Sequence, residues 1–147
     1  MNIHSKSLIY IYGAIAITAL VSSQLHIINY YPLGVVDANI KFWKDTLVSN
    51  SSRFITIDIL FLSLAACTWM LLEANKLKIR NAWIYIIVGL FIGISFAFPL
   101  FLMRRERLLA KENKNTISGK ISITDAFTLV MTAAFSVAYT YISFRHF

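Results

Sequence analysis

The sequence of 147 residues holds a single cysteine, Cys67, only two prolines and only seven acidic residues. One cysteine excludes an intrachain disulfide, a cysteine-based zinc site and a CxxC redox pair. Charged residues make up 14% of the chain, against about 25% in ordinary soluble domains. So thin a polar inventory cannot cover a water-soluble core of this size. The shortage does not signal disorder either, because 58% of the residues are hydrophobic and 14% aromatic. What the chain has in quantity is long apolar runs, and these point to a membrane protein.

A helix needs about 20 mostly apolar residues to cross roughly 30 Å of hydrocarbon. Four stretches meet that length: 8–28, 54–72, 83–102 and 126–144. Of the Lys, Arg, Asp and Glu residues, Asp58 alone falls well inside a span, with Glu73 and Asp125 at span ends. This segregation follows from the cost of a charge in hydrocarbon, about 2.5–3.5 kcal/mol at a helix centre. Tyr30, Tyr31, Trp69, Trp83, Tyr139 and Tyr141 lie at span boundaries, the level that amphipathic rings prefer. The first span runs past the Val21–Ser23 point at which a signal peptide would be cut, so it is expected to stay as an anchor.

The expected architecture is a single all-α membrane domain over 1–147, a four-transmembrane-helix bundle. A short helix over 38–48 is expected to lie at the interface, with Ile40, Phe42, Trp43 and Leu47 toward the headgroups and Lys41, Lys44 and Asp45 wet. Four crossings put both termini and the basic turn Lys76–Arg80 on one side, and the other two connections on the opposite side. Lys and Arg then divide five to nine, the larger share lying with the first and third connections. The positive-inside rule favours those connections as cytoplasmic, while the density of the short second turn pulls the other way.

That topology gathers polar residues at one face. Gln24, His26 and Asn29 close span one, and Arg53 and Asp58 open span two. Arg104, Arg105 and Glu106 close span three, and Asp125 opens span four. The candidate binding residues are therefore His26, Asp45, Arg53, Asp58, Arg104, Arg105 and Glu106. The catalytic candidates are Asp58, Asp125 and Arg105. Asp58 carries the most weight; it reads either as an acid facing a ligand or as half of an ion pair that fixes helix register. His26 and Asp58 lack a ligand-spacing motif, so no metal and no cofactor are expected.

Two further patterns concern packing. Gly89, Gly93 and Ala97 line one face of span three at GxxxG spacing, suited to close helix approach within the chain or in a homodimer. Pro99 is expected to kink that span and free a carbonyl near the polar cluster. Thr128, Thr132, Ser136 and Thr140 recur every four residues in span four. Such hydroxyls either line a cavity or bond back to their own helix.

Several four-span families fail on chemistry: quinone-linked disulfide enzymes need paired cysteines, and small multidrug transporters need an acid in the first span. The run from Phe42 to Arg107 resembles a family of small bacterial multi-pass membrane proteins classed as a domain of unknown function. The similar features are Phe42-Trp43-x-Asp45, Phe54-x-x-x-Asp58, Glu73 before a basic turn, and Pro99-Leu100-Phe101-Leu102 leading to Arg105-Glu106-Arg107. Members are usually shorter, so the fourth span departs from the pattern. The resemblance implies no activity; it implies that Asp58, Pro99 and the Arg-Glu pair belong together.

Two functions compete. One is a binding or accessory protein of the bacterial inner membrane, engaging the bilayer, an anionic lipid or a membrane partner. The other is a small enzyme acting on an isoprenoid or lipid, with Asp58 or Asp125 moving a proton and Arg105 steadying charge. Nucleic acid is not an expected partner, because the basic loops of a membrane protein already account for the charge of +7.

Overall fold

The computed structural model describes residues 3–111 and 123–145. Among them the chain forms α1 (Ile3–Ile27), a 3-10 helix (Ile28–Leu33), α2 (Val35–Asp45), α3 (Asn50–Lys76), α4 (Trp83–Phe91), α5 (Ile94–Lys111) and α6 (Ile123–Arg145), with no strand. The chain divides into two compact units, Met1–Asn113 and Lys114–Phe147. Two of the helical segments, Lys6–Leu33 and Asn50–Lys76, are long and apolar enough to cross a membrane.

In the first unit α3 starts where Ser49, in an extended conformation, accepts a hydrogen bond from the Ser52 amide at 3.0 Å, the usual N-cap arrangement. It ends in a Schellman turn. The Lys78 amide bonds the Asn75 carbonyl and the Ile79 amide bonds the Ala74 carbonyl. Lys78 takes the left-handed position at φ 52° that glycine usually fills. Ile79 and Ala74, which such a turn brings into contact, both belong to the buried core.

The expected third span is not one helix. Its apolar run breaks at Ile92–Gly93 into α4 and α5. Gly93 sits at φ 144°, a conformation that side-chain-bearing residues rarely adopt. A Cβ added there would meet nothing within 4 Å, so backbone geometry rather than crowding requires the glycine. Past the break the chain folds back. The Tyr85 and Phe101 rings meet at 5.6 Å, and a methyl on Gly89 would lie 3.5 Å from the Ala97 Cβ. These pairings place α4 and α5 antiparallel about Gly93.

The hairpin changes how the small residues are used. Gly89 and Ala97 face each other across it instead of lining one helix face, and Ala97 is fully buried. A dimer through Gly89, Gly93 and Ala97 would have to open the hairpin. Pro99 falls in the second turn of α5, so the carbonyl deprived of its donor is that of Ser95. That carbonyl lies near the hairpin turn, about 15 Å along the helix from Arg105.

α1 lies antiparallel to α5. The Gln24 side-chain amide donates to the Ile92 carbonyl at 3.3 Å, and a methyl on Gly13 would sit 3.5 Å from Met103 Cε. The C-terminal part of α3 runs in the same direction as α5, with Trp69 against Phe98 and Phe101. The core gathers at this end of the unit: Met70, Ala74, Ile79, Ala82 and Phe101, with Leu77, Tyr85, Phe98 and Leu108 packed on it. Trp69, expected as a boundary anchor, is part of the packing.

The short helix expected over 38–48 forms as α2, beginning at Val35 and ending at Asp45, where the Thr46 amide turns back to the Phe42 carbonyl. Val36, Ile40, Trp43 and Leu47 stay exposed in one stripe along and just past it, as the helical period requires. In the second unit, the Thr132, Ser136 and Thr140 hydroxyls each donate to the carbonyl four residues earlier, at 2.8–2.9 Å. The stripe therefore bonds back to its own helix.

Two substitutions test this backbone. Gly93→Ala should lower stability by about 1–3 kcal/mol, because alanine is strained at that φ. Lys78→Gly should raise it by up to about 1 kcal/mol by relieving the left-handed lysine. Thermal unfolding of the full-length protein reads both, and opposite signs are required.

Candidate functional site

The folded-back hairpin brings Arg105 to Glu73. Arg105 Nε donates to Glu73 Oε1 at 2.7 Å, and Arg105 Nη1 donates to Glu106 Oε1 at 2.8 Å. The side chains are 11% exposed for Glu73, 18% for Arg105 and 2% for Glu106. The guanidinium also lies over the Trp69 ring, 5.8 Å from its centroid. Lys76 approaches Glu73 at 3.9 Å but is itself largely exposed, so it adds little. Tyr12 of α1 lies within electrostatic reach of both Glu106 and Arg105.

One guanidinium thus binds two carboxylates, one on α3 and one beside it on α5. A planar fork with five donors suits this task, and a lysine cannot reproduce it. The arrangement fixes the register of α3 against α5. The register-fixing ion pair that is one of the two expected roles of Asp58 is made instead by Glu73 and Arg105. With span three continuous, Glu73 and Arg105 would lie at opposite membrane faces, which keeps Glu73 outside the expected cluster.

The expected cluster divides between the two ends of the first unit. Arg104, Arg105 and Glu106 lie at the Glu73 end, with Arg104 exposed. His26, Asp45, Arg53 and Asp58 belong to the other end. His26 is half-buried in the last turn of α1, and Arg53 Nε reaches the Ser49 carbonyl at 3.4 Å in the first turn of α3. Asp58 is exposed on α3, 15 residues before Glu73, which is about 22 Å along a helix. Asp58 and Arg105 therefore cannot flank one small reacting group. Asp125 falls in α6, and its side chain lies outside the described residues. Among the described residues no three His, Cys, Asp or Glu side chains gather to hold a metal ion.

Asp45 has a local task. It accepts from Lys41 Nζ at 2.8 Å and from the Tyr30 hydroxyl at 2.7 Å, while Lys41 stands 5.7 Å over the Tyr30 ring and Phe42 packs edge-on against it. This ties α2 back to the 3-10 helix. The hydrogen bonds from Lys41 and then Tyr30 hold the Asp45 carboxyl below its ordinary range, and the Asp45 bond pushes Lys41 up.

Two measurements follow from these contacts. Arg105→Ala leaves Glu106 buried without its cation and should cost about 3–5 kcal/mol; Arg105→Lys should recover only part of that. Replacing the trio together, as Glu73→Gln, Arg105→Met and Glu106→Gln, should be much milder than Arg105→Ala, and unfolding midpoints compare them. For α2, a depressed carboxyl stabilises the tie above the ordinary aspartate range and loses it as pH falls through the lowered value. The raised Lys41 value keeps its half of the tie through the ordinary lysine range. Amide exchange in α2, corrected for its intrinsic pH dependence, should rise in acid for the native protein and stay flat for Asp45→Asn.

No curated protein and no solved structure matches the chain. Residues 11–107 do match the family described as protein of unknown function DUF2834. The match begins well before the Phe42–Arg107 motifs and so takes in most of α1. It stops just past Arg105 and Glu106, leaving α6 outside. Within it fall both carboxylates, the bridging arginine, the Gly93 turn and the α2 tie: this chain belongs to the DUF2834 family.

Proposed function

We propose that this chain is an integral protein of a bacterial inner membrane that acts by binding, as an accessory to bilayer lipid or to a membrane partner, and not by turnover. What carries the reading is the exposure of its two longest apolar helices. Only 11% of the apolar window of Lys6–Leu33 and 6% of that of Asn50–Lys76 is buried within the chain. In α3, Phe54, Ile55, Ile57, Phe61, Leu62 and Leu64 are exposed on several sides of the helix. A helix apolar all round belongs in a core or in a bilayer, and this one has no core around it.

The polar groups fit the same reading. Arg105 and its carboxylates are already satisfied by one another, as a helix lock requires. Asp58 makes no hydrogen bond or ion pair with any described residue and stands on an apolar helix. At bilayer depth such an acid draws a donor from a headgroup or a neighbouring helix.

The test is alkaline carbonate extraction of membranes, followed by native mass spectrometry from nanodiscs. The chain should remain with the membranes and carry a lipid or a membrane protein whose retention changes in Asp58→Asn. A chain released by carbonate overturns the membrane reading. A lipid substrate turned over by the native protein and not by Asp58→Asn makes it an enzyme.

A further inference from the structure

The α4–α5 hairpin redistributes the charge of the first unit. Lys6 opens α1, which lies antiparallel to α5; Lys76, Lys78 and Arg80 lie in and after the last turn of α3. The returning helix α5 brings Arg104, Arg105, Arg107 and Lys111 to the same end. Eight basic residues meet there among the described residues. The acids with them are Glu73 and Glu106, both held by Arg105. At the other end Lys41, Lys44 and Arg53 are balanced by Asp37, Asp45 and Asp58. Among the described residues one end carries a formal excess of six positive charges and the other none.

The basic side chains are also available. Lys6, Lys76, Lys78, Arg80, Arg104, Arg107 and Lys111 are exposed. From Arg105 to the turn at Gly93 is 12 residues, about 18 Å of helix, short of the roughly 30 Å of a hydrocarbon core. In a bilayer that holds α1 and α3 across it, the hairpin enters from the Glu73 end and returns to it. Gln24 meets the Ile92 carbonyl at the turn, as a polar group at bilayer depth requires.

We infer that the Glu73 end is a one-sided basic surface that binds the anionic phospholipid headgroups of the cytoplasmic leaflet, with the α4–α5 hairpin re-entering the membrane from that side. The inference rests on the membrane reading above. Charge complementarity selects the occupant: exposed lysines and arginines at headgroup level gain about fivefold each in affinity for an anionic surface. The same imbalance sets the orientation, because basic residues near span ends stay on the cytoplasmic side.

Two arms test it on the full-length protein. In a Cys67→Ser background, single cysteines at Asn75, Ala110 and Ser51 are reacted in intact cells with a membrane-impermeant maleimide, then again after permeabilisation. Cysteines at 75 and 110 should be shielded together until permeabilisation, with the one at 51 reacting first. Labelling that pairs 110 with 51 means a fully crossing third span and overturns the inference. In the second arm, the combined Lys78→Gln, Arg80→Gln, Arg104→Gln and Arg107→Gln variant is set in phosphatidylcholine nanodiscs containing phosphatidylglycerol. The ratio of retained phosphatidylglycerol to phosphatidylcholine should fall at least about tenfold, and stay unchanged in Lys44→Gln with Arg53→Gln. An unchanged ratio in the first variant, or an equal fall in the second, overturns it. Carbonate extraction run alongside separates the two readings: a released chain removes the membrane reading too, whereas a retained chain failing either arm removes this inference alone.

Discussion

An α-helix cannot continue through a residue at φ 144°, so at Gly93 the chain must leave the axis of α4. Everything that distinguishes the first unit follows from the direction it then takes. Because α5 returns along α4, Phe101 reaches Tyr85 and Trp69, and Arg105 reaches Glu73. The buried core at that end is the product of the return. Had the apolar run continued as one helix, Glu73 and Arg105 would each have needed a separate partner at opposite faces.

The ion-paired trio is a consequence of the turn and also secures it. Two carboxylates on one guanidinium make a lock with direction: the α3 carboxylate fixes which turn of α5 lies beside it, and the adjacent Glu106 fixes the arginine's rotamer. Such a pair contributes less to net stability than its short distances suggest, since desolvation offsets much of the attraction. Its value lies in uniqueness of register. The apolar contacts around it, Met70, Ala74 and Phe101, would tolerate a shift that the charges do not.

The elements that follow from local composition were legible. α1 begins five residues before the apolar run 8–28 and ends one short of it, α3 extends four residues past each end of 54–72, and α2 begins three residues before the expected 38. The family resemblance, drawn from Phe42 to Arg107, lies within the matched stretch. What hydropathy could not show is the break in span three. Residues 83–102 are apolar throughout, and a sliding average has no means of separating one crossing from a folded pair. Gly89 and Gly93 were the available signal, and their four-residue spacing reads equally as a packing face. A continuous span puts Arg105 and Glu73 at opposite ends and divides between two ends the basic residues that the hairpin gathers at one. Gln24, expected in the polar cluster, donates its amide to the carbonyl at the hairpin turn. Asp45, one of the expected binding residues, accepts from Lys41 four residues earlier and from the Tyr30 hydroxyl, a tie that composition alone does not reveal.

The bond from Gln24 to the Ile92 carbonyl has a consequence for biogenesis. A chain emerges from the ribosome N-terminus first, so α1 is made about 70 residues before the segment it receives. On the proposed membrane reading, the hairpin is too short to cross on its own, and the helix ends at its turn carry backbone groups that lipid cannot satisfy. On that reading its insertion depends on a helix already in place, with an amide at the matching depth. In such an order the anchor acts as a template, and the last helices of the unit join a site prepared for them.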